Sequence, residues 1–148
     1  LLYPDGRLQH VGMILGVNGI AAHAYHQHPG SIHGYMGSAI GPRNFSAVTG
    51  ACLMTRRAVF EQAGGFDETF PIDFNDVDFC LRVRREGYRI VWTPYARLIH
   101  HESASFGPRV QDPAGAEEMR RRWGPVIDAD PYYNPNLTRR SPDFRAGA

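Results

Sequence analysis

FNDVDFCLR, residues 74–82, sets Asn75, Asp76 and Asp78 among Phe74, Val77, Phe79, Cys80 and Leu81, side chains that favour burial. Val77, Cys80, Leu81 and Arg84 fall on one stripe at helical spacing, while Arg82, Arg85 and Glu86 fall on a face suited to water. The stretch therefore predicts a helix from about Asn75 to Glu86, stopped by Gly87. With Asn75 as the cap, Asp76 and Asp78 occupy the first and third helical positions. Acids there meet the positive end of the helix dipole, worth about 0.3–1 kcal/mol each at an exposed site. A helix start at a sheet edge is also where α/β proteins build sites, so spacing alone leaves capping and catalysis both open.

Working outward, YRIVWT (88–93) reads as a strand closed by Pro94, and RRAVFEQAGG (56–65) as a short helix stopped by Gly64-Gly65. VTGACLMT (48–55) is an apolar run suited to a buried strand. LLYPDGRLQHVGMILG (1–16) carries a turn signal at Pro4-Asp5-Gly6 and one or two strands. Residues 18–45 lack periodicity and read as a long loop. Glu117 to Trp123 predicts a helix, and the stretch after Pro125 reads as a tail that must lean on the body or stay mobile. The expected division is a body over residues 1–124 and a Pro/Asn-rich tail over 125–148.

These 148 residues suffice for one compact α/β domain, and 43% hydrophobic content excludes a disordered chain. All the basic residues are arginine, and the net charge of +1 argues against a nucleic-acid partner. Cys52 and Cys80 each lie in an apolar run, so two buried free thiols in a reducing compartment are expected rather than a disulfide. No apolar run approaches the ~20 residues that a membrane span needs. The chain begins at Leu1 without a signal peptide and reads as a piece of something longer.

Five pieces occur in a fixed order: Thr49-Gly50-Ala51, Gly64-Gly65-Phe66-Asp67-Glu68, Asn75-Asp76, Gly87-Tyr88-Arg89 and His100. Together they resemble the C-terminal, acceptor-side half of the catalytic domain of family 2 glycosyltransferases, which have the GT-A fold, with specificity over residues 48–106. The opening and RRWGPVIDADPYYNPNL are similar to bacterial polysaccharide-building members. The resemblance implies an inverting enzyme that moves a sugar from a nucleotide-sugar donor to a saccharide hydroxyl. Asp76 matches the family's general base, and Asn75 stands where a glutamate is usual. Asp78 is assigned to structure. Thr49, Gly50 and Asp67 match acceptor-side contacts.

His100 matches a position that can supply a third protein ligand to a divalent ion (Mg or Mn) beneath the leaving diphosphate, with His101 and Glu102 as its orienting neighbours. The family's Asp-x-Asp precedes this half. Asp76-Val-Asp78 and Asp128-Ala-Asp130 match its letters but lie too late in the chain, so the donor-binding half is expected upstream in the same protein. The chain alone is then expected to be inactive. The resemblance further implies a cytoplasmic protein, with a lipid-linked acceptor at the inner face of the membrane left open. His23, His26, His28 and His33 form a histidine-rich loop without cysteine or acid, expected to be surface residues, with Tyr25 and Tyr35 as candidate sugar-stacking rings. Trp92 and Tyr95 are expected as core or strand-end anchors, and Arg120-Arg121-Arg122 as a solvated face. The rival reading is a non-catalytic carbohydrate-binding or scaffolding module that kept the half-fold.

Overall fold

The computed structural model describes residues 1–101 and 112–147. It is a mixed α/β structure. Strand β1 (Met13–Leu15) pairs antiparallel with β2 (Ala21–His23), in the register Met13 opposite His23 and Leu15 opposite Ala21. Strand β3 (Arg43–Phe45) pairs antiparallel with β4 (Ile90–Trp92). An isolated bridge between Met13 and Ala47 links the two pairs. Helices α1 (Arg57–Gln62), α2 (Asn75–Arg85) and α3 (Pro113–Asp128) complete the frame.

Strand β1 is buried on both faces and separates two cores. Alternation sends Met13 and Leu15 toward Val77, Cys80 and Leu81 of α2 and toward Met119 and Ile127 of α3. Ile14 joins Val11, Tyr25 and Phe45 on the other side. Gly12, with φ +110°, admits the Phe45 ring; a Cβ there would lie 2.3 Å from a ring carbon.

Helices α1 and α2 end at the glycines expected, Gly64-Gly65 and Gly87, all with positive φ. The start of α2 differs by one residue. Phe74 is the cap, in the left-handed region at φ 66°, with no side-chain hydrogen bond. Its ring is buried in the first core, and that packing holds a backbone conformation that a bulky residue otherwise avoids. Asp76 and Asp78 therefore stand at the second and fourth helical positions.

Four further expectations are corrected. Residues 18–45 are not one loop, since they contain β2, β3 and a short 3₁₀ turn at Tyr35–Gly37. Each strand has only three residues, and β3 finds its partner β4 far along the chain, so no local period betrays it. Residues 48–55 form no ladder strand. Gly50–Cys52 is a 3₁₀ turn, and Leu53 is extended at φ −124°, ψ 132°, with no strand partner among the described residues. Met54 is 99% exposed, and Cys52 is exposed rather than buried. The boundary at 124/125 falls inside α3, which continues through Pro125 to Asp128, while Val126 and Ile127 pack on the core. Beyond it the tail is folded onto the body: Tyr133, Leu137 and Phe144 are buried in the second core.

Candidate functional site

The turn after β3 meets the start of α2. Asp76 Oδ2 accepts the Gly50 amide at 2.8 Å, and Oδ1 accepts the Val77 amide of its own helix at 2.8 Å. One bond is what a helix-terminal acid makes; the other ties α2 to a separate element. The side chain remains half-exposed. A Cβ at Gly50 would sit in ordinary van der Waals contact with Asp76, 3.4 Å from its Cβ. Thr49 is buried, caps its turn by accepting the Ala51 amide on Oγ1, and donates its own amide to His10 Nε2 at 3.3 Å.

His10 is 3% exposed, and burial, reinforced by nearby His23, pushes its imidazole well below the usual range. Its neighbour Gln9, equally buried, accepts His100 Nδ1–H on Oε1 at 2.8 Å. A continuous run of contacts thus leads from His100 through Gln9-His10 and Thr49-Gly50 to Asp76. Sequence reasoning missed Gln9 and His10. Their only signal was a pair of polar residues inside an otherwise apolar stretch, LQHVGMIL.

Asp67 is not brought to this site by any hydrogen bond or ion pair among the described residues. Arg122 Nη1 lies 2.6 Å from its Oδ2, the Thr69 amide donates to Oδ1, and Arg122 above all holds the carboxyl well below its usual range. Arg122 is correspondingly no solvated residue: it also pairs with Glu118. Asp78 is fully buried, 2.7 Å from Arg82 Nε and 2.9 Å from Trp123 Nε1, which fits its structural assignment and takes Arg82 out of water. Asp128 pairs with Arg120, and Asp130 is buried, with Oδ2 accepting the Leu15 amide and Oδ1 the Ser46 hydroxyl. Both Asp-x-Asp strings are thus engaged within the fold.

In the histidine-rich loop, His23 contacts His10 and the Gln9 carbonyl, His26 meets the Tyr3 hydroxyl, and His28 meets Asp143. His33 is exposed. Only His26 and His33 are surface residues, since His23 and His28 are half-buried. Tyr25 is no stacking platform: it is buried, with its hydroxyl 2.6 Å from Ser38 Oγ and accepting the Tyr35 amide. Tyr35 is exposed, and so is Tyr95, which anchors no core. Glu102 lies outside the described residues. A cavity of about 590 Å³, lined by Val48, Leu53, Val59, Phe79, Ile90 and Trp92 among others, opens beside His10 and Cys52. Asp76 does not line it.

Among the described residues no three His, Cys, Asp or Glu side chains gather to hold a metal ion. The resemblance expects one ligand from this stretch, His100, and the others from an Asp-x-Asp upstream. His100 could supply one ligand at most, through Nε2.

The sequence is 44% identical to the uncharacterized protein y4gI of Sinorhizobium fredii, over 97% of this chain and 17% of that one. It is 43% identical to the O-antigen biosynthesis protein RfbC of Myxococcus xanthus, over 97% of this chain and 12% of that one. It is 40% identical, over 45% of the chain and 21% of the relative, to an N-acetylglucosaminyl-diphospho-decaprenol L-rhamnosyltransferase of Mycobacterium tuberculosis. The chain thus spans less than a fifth of the length of the first two relatives. No solved structure matches. Residues 7–134, which include Thr49, Gly50, Asp76 and His100, match the family described as glycosyl transferase family group 2, and the chain belongs to that family.

Proposed function

We propose that this chain is the acceptor-side part of an inverting, GT-A-type glycosyltransferase in bacterial surface-polysaccharide synthesis, with Asp76 as general base. The observation that carries the reading is the meeting of Thr49-Gly50 with Asp76. A backbone amide from another element fixes the carboxylate, and each of its oxygens keeps a second lone pair for an acceptor hydroxyl. In the reaction Asp76 takes the hydroxyl proton as that oxygen attacks the anomeric carbon. The bond to the nucleoside diphosphate breaks, its electron pair leaves with the diphosphate, and attack from the opposite face inverts the centre.

Thr49 and Gly50 are kept as acceptor-side residues; Asp67, held by Arg122, has no contact that supports such a role. His100 is kept as a candidate ligand for a divalent ion whose other ligands lie outside the described residues, and no step is routed through that ion. The donor-binding half is assigned to another part of the same polypeptide. The apolar cavity beside Leu53, an extended residue with no strand partner among the described residues, supports that assignment. A lipid-linked saccharide acceptor is proposed by analogy with the diphospho-decaprenol relative. The place of action is the cytoplasmic face of the membrane; among the described residues no helix is long and apolar enough to cross it.

In the longer polypeptide that carries this stretch, Asp76→Asn is expected to lower sugar transfer by roughly 10²–10⁴-fold, the usual worth of a general base. Donor binding, measured by calorimetry, is expected to change little. Retained turnover would reject the assignment. The second reading, a carbohydrate-binding or scaffolding module, is favoured by Asn75 in place of an acid and by the engagement of both Asp76 oxygens with backbone amides. It expects no transfer with any donor.

A further inference from the structure

The dipeptide Gln9-His10 stands between Leu8 and Val11, both buried in the second core. Leu8 is tied by its amide to the His28 carbonyl at 2.7 Å and by its carbonyl to the Gln27 amide at 2.8 Å, so the backbone on which Gln9 and His10 sit is fixed on one side. Both side chains are almost fully excluded from water, at 3% exposure each. A position that only filled the core would be served by apolar groups, because buried polar atoms are unfavourable unless bonded. Each of these two side chains is bonded to a different part of the candidate site. Gln9 Oε1 can only accept, so the 2.8 Å contact requires the proton of His100 on Nδ1 and leaves Nε2 with a bare lone pair. His10 Nε2 accepts the Thr49 amide, and the next amide along, that of Gly50, holds Asp76.

We infer that Gln9 and His10 are the positioning pair of this site: Gln9 presents His100 with its Nε2 lone pair bare, and His10 pins the Thr49-Gly50 turn against Asp76. The inference rests on the reading of Asp76 and His100 given above, but it concerns the geometry of the site and not the chemistry done there. Neither residue touches the reacting atoms. Each acts through a residue that would, as outer partners orient the groups of many active sites.

The test uses the 148-residue chain itself and does not require turnover. Nitrogen-15 spectra of the imidazoles at pH 8, where an ordinary histidine is neutral, report which ring nitrogen carries the proton. His100 is expected as the Nδ1–H tautomer in the unaltered chain, and a dominant Nε2–H form there would overturn the inference with no variant needed. Gln9→Leu is expected to shift His100 toward the Nε2–H tautomer, and Gln9→Glu, which keeps an acceptor, to restore Nδ1–H. Equal spectra in the two variants would reject the role of Gln9. For His10, amide exchange at Thr49 is expected to quicken by about tenfold in His10→Leu, the loss of one hydrogen bond, and to recover in His10→Gln. Exchange in α3 should stay unchanged, whereas a general loosening of the fold would raise both. Quickening at α3 as well, or no rescue by glutamine, would reduce His10 to a core residue. Asp76→Asn should leave the His100 tautomer unaltered, so the base assignment fails on turnover in the longer polypeptide and this inference fails on the spectra, each independently of the other.

Discussion

At the scale of single residues, Asp76 and Asp78 are two acids in one helical turn with opposite circumstances. Asp78 is fully buried and compensates Arg82, whose Nη2 is buried without a hydrogen-bond partner among the described residues. Asp78→Ala is therefore expected to destabilise the fold by about 3–5 kcal/mol, since it leaves a buried guanidinium unpaired. Asp76→Asn retains an oxygen for the Gly50 amide but loses the acceptor of the Val77 amide, and is expected to cost about 1–2 kcal/mol. Urea unfolding followed by tryptophan fluorescence measures both, and a large loss from Asp76→Asn would mark that residue as structural. The sequence separated these acids only through a resemblance. Spacing offers no distinction, because what buries Asp78 is Trp123, 45 residues away. Cys52 illustrates the same limit: an apolar run predicts burial, yet the residue stands exposed on a 3₁₀ turn.

At the scale of elements, the helices were legible, as were β1 and β4, which lie in stretches that read as strands, whereas β2 and β3 were not. Glycine stops and a buried stripe are local signals, and α1 and α2 obey them. Three-residue strands have no measurable period, and β3 exists because Arg43–Phe45 meets Ile90–Trp92. The link between α3 and the Asp67 turn was equally hidden. Arg122 joins Asp67 and Glu118, and its guanidinium helps to depress both carboxyls; Arg121 and Arg122 together push Glu118 down to about 2. Both acids have folded pKa values below their unfolded ones, so the stabilisation is complete above about pH 4.5 and is lost as pH falls toward 2. Arg122→Met is expected to flatten the decline of stability between those limits. Urea midpoints at pH 5 and pH 2.5 would show it as a smaller difference than in the unaltered chain. An unchanged difference would mean that Arg122 does not set these carboxyls.

At the scale of the whole molecule, the tail closes the structure. Asp130 accepts from Leu15 in the first hairpin and from Ser46 beyond β3, and Tyr133, Leu137 and Phe144 complete the second core. Burying three such side chains contributes roughly 1.5–3 kcal/mol each, a sum comparable with the 5–15 kcal/mol that stabilises a typical domain. A chain ending at Ala129 is expected to lose its cooperative thermal transition by calorimetry; a sharp transition near the original temperature would show the tail to be dispensable. This closure has a consequence for biosynthesis. The hairpin of β1 and β2 is synthesised before Phe144, which joins its Ile14 and Ala22 in the second core and follows about 120 residues later. At roughly 5–20 residues per second the nascent hairpin waits on the order of 6–24 s without that ring, long enough for a chaperone to engage it.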